Sequence, residues 1–139
     1  MDPKFDNLLI DPGARTASAL IDWDMGTMGP PAFDLAVLLS YWIQPDDPAA
    51  THALQAVPSL VPGFPGRARV IAAYARAAGG VPPGLGWHLA LARLRLATAW
   101  MQLYPLWQQG GVAGDRYAGF AALAGAILSL ALDRFGDCE

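Results

Sequence analysis

Asp2-Pro-Lys-Phe-Asp-Asn7-Leu-Leu-Ile10-Asp-Pro-Gly13 and, a few residues on, Ala17-Ser-Ala-Leu-Ile21-Asp22-Trp-Asp24 decide how the front of this chain folds. Asn7 to Ile10 is a short apolar run. Asp11-Pro-Gly13 is a strong turn signal, because Pro presets φ and Gly accepts a positive φ. Ala17 to Ile21 reads as a second strand, so the pair predicts a β-hairpin whose loop is longer than the tightest kinds. A hairpin returns the chain to its starting point. Asp2, Asp6 and Asn7 at one end are therefore expected near Asp22 and Asp24 at the other.

Several oxygen-bearing side chains at one hairpin mouth suit a hard cation. Mg²⁺ prefers oxygen ligands, keeps several waters, and is usually held by one or two carboxylates together with substrate phosphates. The spacing adds to this. An Asp, an Asn five residues later, a strand, a turn, a strand and a further Asp is the order of parts in a kinase. There the first Asp orients or deprotonates the acceptor hydroxyl, and the Asn and later Asp hold metal on the nucleotide phosphates. In this chain those positions are Asp2, Asn7 and Asp22. Asp and Asn also cap turns well, so the spacing by itself leaves a purely structural role open.

With these blocks in order, the chain resembles the aminoglycoside phosphotransferase and choline kinase-like family, whose pattern runs His-x-Asp-x-x-x-x-Asn and then Ile-Asp-Trp/Phe-Glu/Asp. Lys4 to Pro12 looks like the first block, Ala19 to Gly29 like the second, and Pro31 to Leu39 like the helix that follows. The stretches Tyr41 to Pro48 and Gly63 to Arg67 are similar to the branch associated with acyl-CoA dehydrogenases. A less specific similarity continues through the helical remainder, including Arg95-Leu96.

The resemblance implies Asp2 as catalytic base and Asn7 and Asp22 as the residues that hold the metal and nucleotide. Asp24 is an auxiliary acidic group and Asp34 an anchor for the loop after the motif. It implies Mg²⁺ and ATP as cofactors and a small hydroxyl-bearing substrate. The chain also departs from the pattern. The family's His falls one place before Met1, Pro3 stands where a larger apolar residue is usual, and Pro30 where Asp is common. Asp2 is expected to fray unless something ties it down. Members of the family carry an N-terminal lobe that covers the nucleotide and supplies a Lys to its phosphates. No Gly-rich loop follows a strand here, and the only Lys is Lys4. Gly79-Gly80 and Gly110-Gly111 follow helical patterns and read as helix stops. The expectation is a C-terminal lobe with the N-lobe absent, inactive on its own.

Composition agrees with a helical body. The 139 residues are 54% hydrophobic and 15% charged, which is apolar enough to expect that some surface meets the missing lobe or a second subunit. A net charge of −3 offers no electrostatic footprint for nucleic acid. Arg67, Arg69 and Arg76 are expected on a solvated helix face. The one cysteine, Cys138, excludes an intrachain disulfide and fits a reducing cytoplasm. No signal peptide is visible at the start. Tyr117 to Leu132 carries no charge but falls short of the roughly 20 apolar residues of a membrane span, so a buried helix is expected.

Past the hairpin, Pro and Gly punctuate a run of helices. They are expected at Phe33 to Trp42, at Thr51 to Val57 as a short turn, at Gly66 to Ala78, and at Leu85 to Gln108. The last of these has Pro105 near its end. A final helix is expected from Asp115 to Phe135 with Asp115 as N-cap, and Pro58 to Pro65 reads as a loop. Leu89, Leu96, Trp100, Leu103 and Trp107 share one face of the long helix. Tyr41, Trp42, Trp87, Trp100, Tyr104 and Trp107 could line a pocket, although core packing is the simpler account. Gln44, Asp46 and Asp47 read as a solvated helix-end loop, with an acceptor pocket as the alternative. Arg93 or Arg95 is expected to anchor a buried carboxylate such as Asp34. His52 and His88 are solitary, which argues against zinc, and no hydrolase motif is present.

The resulting expectation is an α+β, mostly α, kinase-like C-terminal lobe over residues 1–139. A catalytic hairpin (1–31) packs on a helical subdomain (32–139) of four to five helices. The complete enzyme is expected to transfer a phosphoryl group from ATP to a substrate hydroxyl. A non-catalytic binding or assembly module, or a truncated product without function, is the alternative. An antibiotic, an amino alcohol and a hydroxyacyl compound all stay open as acceptors.

Overall fold

The front hairpin forms. A computed structural model describes residues 2–53 and 57–133. After a single 3-10 turn at Phe5–Asn7 come strands β1 (Leu8–Asp11) and β2 (Thr16–Leu20), paired antiparallel. Leu8 lies opposite Leu20 and Leu9 opposite Ala19, but Ile10 faces Ala17, which leaves Ser18 as an extra residue. Such a bulge bends the strand, and the Ser18 hydroxyl donates to the Leu9 carbonyl at 3.1 Å. The turn is closed by Asp11, whose Oδ1 accepts from the backbone N–H groups of Gly13 (2.8 Å) and Ala14 (3.0 Å). That bond pattern moves the left-handed residue from the expected Gly13 to Arg15, at φ 54°.

Four α-helices follow: α1 (Pro31–Ser40), α2 (Arg67–Ala78), α3 (Leu85–Gln108) and α4 (Phe120–Asp133). The long helix α3 lies between α1 and α4. Helix α1 starts two residues before the expected Phe33, because Pro31 is pre-organised for the first helical position and its missing N–H is not needed there. It also stops before Trp42. Trp42 leaves the helical path to bury its indole and donate Nε1–H to the Pro65 carbonyl at 2.8 Å.

The bounds of α2 and α3 follow their punctuation. Gly79 ends α2 in the left-handed region at φ 83°. Pro105 sits in the last turn of α3. Beyond that turn Gly110 N–H donates to Trp107 O (2.9 Å) and Gly111 N–H to Leu106 O (2.8 Å), with Gly110 at φ 75°. This Schellman closure satisfies the last carbonyls of the helix.

Asp115 does not cap a continuous final helix. Gly114 turns the chain, a 3-10 segment runs from Asp115 to Gly119, and α4 begins only at Phe120. The tighter winding accompanies a buried Tyr117 that meets Phe120 edge-on at 5.2 Å. Short 3-10 turns also occupy Ala49–Ala53 and Pro58–Leu60, the latter inside the expected loop. Phe135 and Cys138 lie outside the described residues, as does the middle of the expected 51–57 turn.

Burial explains the order of the helices. Leu96, Ala97 and Trp100 of α3 meet Leu123, Ile127 and Leu130 of α4, and Ala92 meets Ala36 and Val37 of α1. By length and composition alone, Asp115–Leu132 is apolar enough to cross a membrane. One face of it, with Leu123, Ala124, Ile127 and Leu130, is buried against the protein, but only 33% of the segment is buried, less than the buried helix expected.

One ion pair overturns two sequence expectations. Arg67, expected on a solvated face, is buried at the start of α2, and Asp47, expected in a solvated loop, is buried with it. Arg67 Nη1 donates to Asp47 Oδ2 (2.8 Å) and to Trp42 O (2.9 Å), and Nη2 reaches Asp47 Oδ1. Asp47 Oδ2 also accepts from Gln44 N at 2.8 Å, and Gln44 Oε1 accepts from Arg67 N. A bidentate Arg–carboxylate contact with further hydrogen bonds to both partners is the arrangement that makes a buried pair tolerable. Arg93 is buried too, donating to the Leu130 carbonyl at 2.8 Å.

Candidate active site

Three contacts hold the loop from Asp2 to Asn7, two of them to the helical body and one within the loop. Phe5 packs on Trp42 with ring centroids 4.8 Å apart, and on Phe64 edge-on at 5.9 Å. Asn7 is only 5% exposed. Its backbone N–H donates to Lys4 O (3.1 Å) and its side-chain Nδ2 to Asp2 O (2.9 Å), which closes the loop on itself. The third contact is at the Asp2 carboxylate.

Asp2 is held, not frayed. Its Oδ2 lies 2.8 Å from Lys4 Nζ, while Oδ1 accepts from the Tyr41 hydroxyl at 3.3 Å and lies 3.8 Å from Arg95 Nη1. The first residue after α1 and the middle of α3 thus converge on one carboxylate. Burial, followed by the negative charge of Asp2, pushes the Tyr41 phenol up to about 12, with Arg95 acting in the opposite direction. Tyr41 therefore remains a neutral donor near neutrality.

The other half of the site begins where β2 ends. Ile21 N–H donates to Asn7 O at 2.9 Å, so Asp22 follows directly on the residue bonded to Asn7. Asp22 has φ 63°, a left-handed conformation that is uncommon outside Gly but that Asp and Asn tolerate. It turns the chain sharply out of the strand. Trp23 Nε1–H returns to Leu20 O at 2.6 Å, and Gly26 N–H to Trp23 O at 2.7 Å. A Cβ on Gly26 would stand 2.8 Å from that same Trp23 oxygen, so the turn requires glycine. Asp24 lies within it. All residues from Ile21 to Pro30 are exposed.

The fold thus brings Asn7 and Asp22 to one hairpin end and ties Asp2 to Asn7 through the backbone. Among the described residues no three His, Cys, Asp or Glu side chains form a metal-holding group. The donors at hand still suit a hard cation. Asn7 uses its amide nitrogen on Asp2 O and keeps its carbonyl oxygen as the acceptor, and Asp22 is an exposed carboxylate. One carboxylate plus one amide oxygen, completed by water and phosphate, is an ordinary magnesium set.

The motif reading missed Tyr41 and Arg95 as neighbours of Asp2. Both lie in stretches that carry the resemblance, but only the folded chain brings them to Asp2.

The structure presents an Asp–x₄–Asn loop and an Asp-bearing hairpin end on one helical body. Residues 1–88 match the phosphotransferase enzyme family, and since that is more than half of the chain, the protein belongs to this family. The match ends in the first turns of α3. No curated protein and no solved structure matches the chain.

Proposed function

We propose that these residues form the C-terminal, kinase-like lobe of an ATP-dependent phosphotransferase that acts on a hydroxyl of a small molecule. The observation that carries the reading is the family match over a segment containing the Asp2 loop and the Asn7/Asp22 hairpin end. In this reading Asn7 and Asp22 hold Mg²⁺ on the nucleotide phosphates, with Asp24 auxiliary. When bound, the nucleotide would supply the phosphoryl group and the metal would neutralise its charge. Asp2 accepts a hydrogen bond from the acceptor hydroxyl, orients it in line and takes its proton as that oxygen replaces ADP on the transferred phosphoryl group. General bases of this kind contribute about 10² to 10⁴ in rate.

Holding Asp2 still matters as much as its basicity. A carboxylate pinned by Lys4, Tyr41 and Arg95 has one geometry to offer, and positioning supplies a large share of such reactions. Within the 139 residues no Gly-rich loop follows a strand, and Lys4 is the only lysine. A covering lobe or a second subunit is therefore proposed to complete the nucleotide site. The exposed apolar side chains Leu9, Ile10, Ile21, Trp23 and Met28 around the hairpin support this.

The test is calorimetric titration of the purified chain with Mg²⁺-ATP. Weak, saturable heat is expected, lost in Asp22→Ala and lost when EDTA removes the metal. Binding unchanged in Asp22→Ala would reject the assignment of that residue. No phosphorylation of small hydroxyl compounds is expected from these residues alone, and its detection would remove the need for a covering lobe.

A further inference from the structure

Three arginines reach into the described body, and they differ in what occupies them. Arg67 is paired with Asp47 and donates to Trp42 O, and Arg93 donates to Leu130 O. Arg95 is different. Its nearest partner is Asp2 Oδ1 at 3.8 Å, beyond hydrogen-bond distance, and its side chain is 36% exposed. The Asp2 charge is already met by Lys4 at 2.8 Å. Arg95 is thus a second cation beside one carboxylate, with its planar fork of N–H donors still open to whatever enters next to Asp2.

We propose that Arg95 is a specificity-determining residue that receives an anionic group of the acceptor, so that the hydroxyl taken by Asp2 belongs to a hydroxy acid. This rests on the reading of Asp2 as the base. A carboxylate suits the guanidinium because two parallel N–H···O bonds can form at once. Tyr41, a neutral donor on the same carboxylate, can add a third hydrogen bond.

A cationic acceptor meets the opposite conditions. Lys4 and Arg95 repel it and outnumber Asp2, the one carboxylate they flank. The acids after α1 that would attract it are engaged, Asp47 by buried Arg67 and Asp46 by Gln44 Nε2 at 3.2 Å. Asp6 is exposed, and solvent screens its charge. An amino alcohol or a polyamine sugar is therefore a poor occupant, and a neutral polyol leaves the guanidinium unpaired.

The experiment is a titration of ¹⁵N-labelled chain with 3-hydroxybutyrate, butane-1,3-diol and ethanolamine, followed at Tyr41 N–H and Arg95 Nε–H. Saturable shifts are expected for the hydroxy acid, with at least about tenfold weaker binding of the other two. Arg95→Gln should erase that preference and Arg95→Lys keep part of it, because the charge remains and the fork is lost. Equal or tighter binding of the diol or the amine overturns the proposal. So does a hydroxy-acid response that survives Arg95→Gln, or no response to any of the three in a folded sample. Asp22→Ala separates the two readings. It should leave the hydroxy-acid shifts intact, so a failed nucleotide titration with intact shifts rejects the kinase reading and not the anion site.

Discussion

The two halves of the candidate site are built in opposite ways. From Asp2 to Asn7 the chain is closed on itself by Asn7 and Lys4; Tyr41 and Arg95 of the helical body meet the Asp2 carboxylate, and Phe5 is wedged between aromatic rings. From Asp22 to Met28 the chain is exposed throughout, held by one bond to the strand end and one turn bond. The half proposed as the base side is pre-organised by this chain. The half proposed as the metal side has its backbone shape, including the left-handed Asp22, and is exposed. Under the proposed function, such a division keeps the partner of the acceptor hydroxyl rigid and leaves the phosphate side to be completed by what binds there.

The contrast can be broken most forcefully at the ion pair beneath the base side. Asp47→Ala leaves Arg67 charged and buried without its partner, and a loss of about 3–5 kcal/mol is expected in urea unfolding. A loss below about 1 kcal/mol would mean that the helical body does not depend on this clamp.

A smaller effect is expected at Tyr41. Tyr41→Phe removes one long hydrogen bond to Asp2, worth about 1 kcal/mol at neutral pH. Its pH dependence sharpens the test. Below the ordinary phenol value of 10.0 both folded and unfolded chains keep the proton. Between there and about 12 the unfolded chain has released it while the folded chain retains it, so stability falls as pH rises. Urea midpoints of the wild type should drop through that window, and those of Tyr41→Phe should drop less. Parallel curves would dissociate Tyr41 from the alkaline loss.

The smallest effect belongs to the open side. Trp23 is 58% exposed, and Trp23→Ser is expected to change stability by no more than about 0.5 kcal/mol. A loss above about 1.5 kcal/mol would show that the turn after β2 is anchored more firmly than its exposure indicates.

Local signals were legible and distant ones were not. The hairpin, α2 and α3 could be read because Pro and Gly punctuation and short apolar runs act within a few residues. Asn7 and Asp22 could be placed together because a hairpin has only one way to return. The pairing of Asp47 with Arg67, and the meeting of Asp2 with Tyr41 and Arg95, join residues far apart in sequence. No spacing rule reaches that far, so Arg67 read as a surface cation and Asp2 as a loose end. The misplaced details are local but chemical. Asp11 satisfies two N–H groups and moves the positive φ to Arg15, and Gly114 replaces Asp115 at the start of the last helical segment.

Helix α2 is attached to the body in an uneven manner. Arg67, its first residue, is the one that is buried, and toward Gly79 the helix lies on the surface. Divergence along a lineage should follow that asymmetry. The far end of α2 and the Gly79-Gly80 turn are free to lengthen, shorten or exchange residues without disturbing the base, whereas Arg67 and Asp47 can change only together. Among descendants of this chain, that pair should drift as a unit while the rest of the helix drifts alone.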